Sequence, residues 1–276
     1  MLQNIISLVL VFGIIHSCNA ASNNGEAKAD SSAVHFLQEK HLKNVKQLSF
    51  GGENAEAYWS FDNSLLTFQY TNKKGGIMCD RIYTTNPSDT AKKLISTGKG
   101  RTTCSFFMPG DSQIIYASTH FYGDSCPAEP PHMHGKYLWA IYPEYEIVVA
   151  DLNGKIVKQL TKNDFYDAEA VVSPKGDKIL FTSDRSGDLE LYTMNLDGSD
   201  VKQITNELGY DGGANFSPDG SQIVWRASHF DTDSERIEYK ENLKKHLVSP
   251  MKMELFIANV DGSNRKQITS LGGANW

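Results

Sequence analysis

Short apolar runs with polar ends recur along this chain. Gln113-Ile-Ile-Tyr-Ala-Ser118, Lys178-Ile-Leu-Phe-Thr-Ser183, Glu190-Leu-Tyr-Thr-Met-Asn195 and Glu254-Leu-Phe-Ile-Ala-Asn259 are rich in β-branched and aromatic residues and are bounded by Gly, Pro, Asp or Asn. This is the pattern of buried β-strands, and it predicts an all-β chain.

The runs recur in order. Tyr166-Asp-Ala-Glu-Ala-Val-Val-Ser-Pro-Lys-Gly and Tyr210-Asp-Gly-Gly-Ala-Asn-Phe-Ser-Pro-Asp-Gly each pass through a turn into an apolar strand. Proline presets one torsion of such a turn and glycine accepts a positive one. Weaker copies lie at 57–64 and 104–111, and the corner residues Ser60, Met108, Ser173 and Ser217 stand 48, 65 and 44 residues apart. After each corner come a second strand, a third such as Tyr145-Glu-Ile-Val-Val-Ala-Asp151, and a fourth such as Val201-Lys-Gln-Ile-Thr205. Four strands at this period predict a β-propeller of four-stranded blades, because one such sheet cannot bury its apolar faces alone. Asn44-Val-Lys-Gln-Leu-Ser-Phe50 matches the fourth strand without a blade of its own, and Gly272-Gly-Ala-Asn-Trp276 starts a fifth unit. The expectation is four blades plus a closing strand over 42–276, truncated at the C-terminal end, with the closing partner lying further on.

At the N-terminus the apolar run 5–15, followed by small and polar residues to Ala21, predicts a signal peptide over 1–20. Ile15-His-Ser-Cys18 resembles a lipobox, so lipidation of Cys18 and a membrane tether are expected as an alternative. Residues 21–41 read as a polar linker. Export places Cys79, Cys104 and Cys126 in an oxidising compartment, where one pair is expected to form a disulfide and leave one thiol over. A net charge of -6 offers no field for a phosphate backbone and argues against nucleic acid as a partner.

The longer spacings place insertions between the second and third strands of the second and fourth units, on one face of the disc. His120, Asp124, His132 and His134 lie in the first, and His229, Asp231, Asp233 and His246 in the second. These are the candidate ligand-binding residues. Imidazoles with carboxylates form a coordination sphere that first-row metals accept, so a metal ion at His120, His134 and His229 is the one cofactor considered. Asp167 and Asp211 read as loop caps that bond backbone N–H groups, with channel lining as the rival. Trp59, Phe107, Phe216 and Trp225 read as core aromatics, the Asp197-Gly-Ser and Asp261-Gly-Ser segments as turns, and the Asn215-Phe-Ser217 sequon as buried.

The run Tyr210-Asp-Gly-Gly-Ala-Asn-Phe-Ser-Pro-Asp-Gly with Ile223-Val-Trp, Leu196-Asp-Gly-Ser and Lys202-Gln-Ile-Thr resembles the WD-like repeats of TolB-type propellers. The resemblance covers about residues 42–276. It implies a propeller of six blades when complete, in the periplasm, outside the cell or on the envelope, where TolB is a non-enzymatic protein-binding component. The function it implies is a scaffold for an envelope or extracellular protein or peptide, with no catalytic residues. Two departures stand out: TolB's separate N-terminal α/β domain has no evident counterpart, and four blades are found. Similar propellers are also fused to serine peptidases, but no Gly-x-Ser-x-Gly elbow occurs in the sequence. The rival readings are therefore a metal-dependent lyase or hydrolase using the histidine-rich loops, a peptidase propeller without its catalytic domain, and a structural repeat with no role of its own.

Overall fold

The computed structural model describes residues 38–89, 91–130, 137–250 and 252–275. The chain divides into Met1–Gln47 and Leu48–Trp276. In the first unit, residues 38–47 hold no helix or strand. The expectations for a signal peptide and for lipidated Cys18 lie outside the described residues, as do His132 and His134.

The second unit holds four four-stranded antiparallel sheets in the arrangement of propeller blades. Blade 1 is β1 (Glu53–Trp59), β2 (Leu66–Asn72), β3 (Ile77–Thr85) and β4 (Lys92–Leu94). Blade 2 begins with β5 (Thr102–Phe107) and β6 (Gln113–Ser118), passes through β7 (Trp139–Ala140) outside the sheet, and ends with β8 (Glu146–Asp151) and β9 (Ile156–Gln159). Blade 3 is β10 (Asp167–Val172), β11 (Lys178–Ser183), β12 (Glu190–Asn195) and β13 (Lys202–Gln203). Blade 4 opens with β14 (Gly209–Phe216) and β15 (Gln222–His229). Helix α1 (Asp233–Leu243) and β16 (Leu247–Val248) interrupt it before β17 (Glu254–Asn259) and β18 (Lys266–Gln267).

The corners repeat atom for atom. The amides of Ser60, Met108, Ser173 and Ser217 donate to the carbonyls of Leu65, Gln113, Lys178 and Gln222, each at 2.9 Å. Positive φ at Asn63, Asp111, Gly176 and Gly220 closes each turn. Each blade also ends alike, with the hydroxyl of Ser96, Thr161, Thr205 or Thr269 accepting the N–H of Ile82, Ile147, Leu191 or Leu255 on the third strand. That hydroxyl bond pins a fourth strand whose ladder is only two to four residues long.

The core lies between blades. Ile82, Phe107 and Tyr116 cluster between blades 1 and 2, Ile147, Ile179 and Phe181 between 2 and 3, and Leu180, Leu191, Trp225 and Phe256 between 3 and 4. Each fully buried aliphatic or aromatic side chain contributes about 1.5–3 kcal/mol, so stability is distributed over the blade contacts.

Residues 44–50 form no strand, and each of the four sheets has a fourth strand of its own. One sequence expectation changes. Trp59 is not a core aromatic. Its neighbour Tyr58 packs on Phe106 of blade 2, so alternation turns Trp59 to the opposite face, where it is 49% exposed. Phe107 and Trp225 are buried as expected, and Phe216 is half-buried.

Candidate funnel site

Each first strand carries a β-bulge after its second, third or fourth residue. Register shifts fall after Ala55, Thr103, Ala168 and Gly212, and the residues that follow, Glu56, Cys104, Glu169 and Gly213, have φ of 50°, 40°, 58° and 59°. A bulge leaves one residue outside the ladder and re-aims it. Here all four line one cavity of about 280 Å³, which shares Glu56, Cys104, Glu169 and Arg226 with a wider funnel of about 540 Å³. Blade 2 enters one residue out of the expected alignment, since the bulge makes Cys104 rather than Thr103 the counterpart of Glu169.

Glu169 is the hub of this inner ring. It accepts the Thr182 hydroxyl at 2.7 Å, the Tyr210 hydroxyl at 2.9 Å and the Gly213 amide at 2.7 Å. The Arg226 guanidinium stands 3.6 Å from it. Arg226 occupies the space a side chain at Gly213 would need, for a Cβ there would lie 2.7 Å from the guanidinium carbon. Burial disfavours the Arg226 charge, but Tyr210 and Glu169 more than offset this and raise its pKa. Burial, with Glu56 and Glu169 nearby, pushes the Cys104 thiol well up. Cys104 is thus a protonated thiol and a poor nucleophile.

The funnel mouth is built by the two insertions, which meet. β7 pairs antiparallel with β16, Val248 opposite Trp139 and Leu247 opposite Ala140, and the Ile141 amide donates to the His246 carbonyl at 2.7 Å. Helix α1 backs this clasp. It starts in a capping box between Thr232 and Glu235, and its buried Tyr239 donates to Asp188 of blade 3 at 2.5 Å. Under the clasp, Trp139 meets Tyr210 edge-on at 6.0 Å with Arg226 over its ring, and Tyr142, Tyr145 and Tyr166 continue the aromatic wall. A disulfide from Cys126 in the first insertion to Cys79 on β3 ties the mouth to blade 1 and leaves Cys104 unbridged, matching the expected one pair and one thiol.

The histidine candidates occupy equivalent blade positions but have different partners. His229 Nε2 lies 3.0 Å from buried Asp211, and its Nδ1 lies 3.6 Å from Glu207. In blade 2 the residue equivalent to Asp211 is Thr102, and His120 Nδ1 turns instead to Ser118 at 2.8 Å. Burial, with Lys99 nearby, holds the His120 pKa below the usual range. Asp124 pairs with Lys99 at 2.9 Å, and exposed Asp233 pairs with Arg236 on the first turn of α1. Asp231 lies close enough to Lys252 to favour its charge. Among the described residues, no group of three or more His, Cys, Asp or Glu is arranged to hold a metal ion.

Asp167 and Asp211 are not backbone caps. Asp167 accepts from Arg185 at 2.7 Å and from Asn163, and Asp211 from the Trp225 indole at 2.5 Å. Both are fully buried, and a buried carboxylate needs charged or strong donors, which these side chains supply. Asp197 and Asp261 do serve as turns, each accepting the amide and hydroxyl of the serine two residues on. Sequence reasoning missed the funnel. Its one available signal was the shared position of Glu169 and Gly213 in the two best copies of the repeat.

A family model described as the TolB beta propeller domain matches residues 142–244. Among solved structures, one described as TolB from Agrobacterium tumefaciens superposes with a TM-score of 0.59 at 18% identity, over 81% of this chain and 69% of that one. TolB from Acinetobacter baumannii gives 0.53 at 17% identity, over 80% of this chain and 45% of the other. A chain of a nidogen/laminin complex gives 0.54 at 12% identity, over 81% of this chain and 67% of that one. No curated protein matches the sequence significantly. At these identities the structural likenesses show a β-propeller fold, and the family model marks residues 142–244 as similar to a TolB propeller domain.

Proposed function

We propose that the protein is an exported, non-enzymatic scaffold that binds a protein or peptide of the cell envelope or exterior at its funnel mouth. One observation carries this reading: two insertions, far apart in sequence, pair with each other over the inner ring and present an aromatic, half-open funnel on a rigid set of blades. Aromatic side chains give large contact area at low entropic cost, which suits recognition of a polypeptide. Export is supported by the apolar run at 5–15 and by the Cys79–Cys126 disulfide, since such bonds persist in oxidising compartments. Among the described residues no helix is long and apolar enough to cross a membrane. Attachment through a lipid at Cys18 is the corresponding proposal for anchoring.

The test replaces Tyr137, 65% exposed at the mouth, with a photo-crosslinking phenylalanine derivative. The expected result is a covalent adduct to a polypeptide of the envelope fraction that excess unmodified protein competes away. Absence of an adduct, together with turnover of a substrate that is lost on His120→Ala or His229→Ala, would overturn the reading in favour of the metal-dependent enzyme. Stoichiometric metal in the purified full chain would point the same way.

A further inference from the structure

The funnel's charge and its walls do not match. Four carboxylates line it, those of Glu56, Asp80, Glu129 and Glu169, against the guanidinium groups of Arg101 and Arg226. Asp80 pairs with Arg101 at 3.2 Å and Glu169 faces Arg226 at 3.6 Å, so those two charges answer each other. Glu129 pairs with Lys73 at 2.7 Å and stands 3.7 Å from Arg101. Glu56 sits on its bulge, half-buried, with the Tyr58 hydroxyl donating to it at 2.7 Å. Among its described lining residues the funnel therefore carries surplus negative charge, flanked by aromatic rings whose faces also attract cations. An anionic guest would meet this charge unfavourably. A neutral polyol would suit the rings and leave the charge unanswered.

We propose that the funnel seats a basic side chain, lysine or arginine, of the polypeptide it binds, with Glu56 as its counter-ion. The inference rests on the scaffold reading above and names the chemistry of the guest. A basic side chain is long enough to lay its methylenes along the aromatic wall while its charged head reaches the inner ring.

The experiment is calorimetric titration of the full chain with end-blocked tetralysine, tetraglutamate and spermidine. One tetralysine is expected to bind per protein, and Glu56→Gln is expected to weaken it about fivefold, the worth of one partly exposed ion pair. Asp177→Asn, an exposed carboxylate outside the funnel, is expected to leave binding unchanged. Equal weakening by both variants, or none by Glu56→Gln, assigns the binding to the protein's general charge and overturns the proposal. So does tighter binding of tetraglutamate. Tighter binding of spermidine with the same Glu56 dependence makes the site one for a small polyamine and overturns the polypeptide assignment. Failure with tetralysine while the Tyr137 adduct persists sinks this inference alone. Glu56-dependent tetralysine binding without any adduct sinks the scaffold reading alone.

Discussion

Blades 3 and 4 follow one backbone course, with bulge residues at φ 58° and 59° and identical corner bonds at Ser173 and Ser217, yet they differ in chemistry at three equivalent places. Blade 3 has Glu169 where blade 4 has Gly213, and Arg226 fills the space that the missing side chain leaves. Blade 3 pairs buried Asp167 with Arg185, whereas blade 4 pairs buried Asp211 with His229 and Trp225. Glu190 heads the third strand of blade 3 in a buried setting, while its counterpart Glu254 is half exposed. The repeated backbone bonds and apolar contacts make the blade. The exchanged side chains make the site, and fold and function are written at different positions of the same repeat.

The largest expected effect of separating the two concerns Glu169. Glu169→Ala removes the acceptor for the Thr182, Tyr210 and Gly213 groups and leaves Arg226 without the carboxylate that faces it. Breaking one side of a buried, hydrogen-bonded charge pair costs about 3–5 kcal/mol. Glu56→Ala at the matching bulge of blade 1 loses the Tyr58 bond and is expected to cost about 1 kcal/mol. Urea unfolding of the two variants measures the difference. Equal costs would mean that the bulge position, and not the network around Glu169, sets the stability.

Gly213→Ala asks the complementary question at an intermediate size. The αL backbone costs a non-glycine residue about 1 kcal/mol, a cost that Glu56, Cys104 and Glu169 already bear at their own bulges. The new Cβ would also lie within 3 Å of the Arg226 guanidinium and push this flexible end away from Glu169. The expected total is about 2 kcal/mol, falling to about 1 kcal/mol when Arg226→Ala is made first. A double-mutant cycle with zero coupling would show that Arg226 does not depend on the glycine.

The blades were legible in the sequence because their signals are local. A Pro-Asp-Gly turn and two alternating strands fit within about twenty residues, and the insertions betrayed themselves through the uneven spacing of Ser60, Met108, Ser173 and Ser217. The funnel was not legible, because its members come from different blades and from an insertion, joined by contacts that no local period encodes. Cys104 was misplaced by one residue, since a bulge leaves no mark on an alternating pattern. The matching Ser-Thr-His120-Phe and Ala-Ser-His229-Phe segments did mark equivalent positions. What each histidine does was decided by a residue eighteen earlier, Thr102 in one blade and Asp211 in the other. Trp139 and Tyr142 were passed over because they lie in a segment without repeat partners.

A last effect separates the third-strand glutamates by its sign. Burial, with Asp211 and Asp188 nearby, raises the Glu190 pKa from 4.5 to about 8 against the opposing bond from Thr205. Between those values the unfolded chain has released the proton and the folded chain keeps it, so this group lowers stability as pH rises from about 4.5 to about 8. Glu254 behaves in the opposite sense. The Thr269 hydroxyl and the Gly272 and Leu271 amides lower its pKa, so its contribution is present above about 4.5 and fades as pH falls through the lowered value. Glu190→Gln is therefore expected to raise the urea midpoint relative to the parent as pH climbs from about 5 to about 8. Glu254→Gln is expected to lower it near neutrality and to converge with the parent in acid. Midpoints moving in the same direction for both variants would show that burial between blades does not distinguish the two positions, and with it the contrast between an enclosed blade and a half-exposed one would fall.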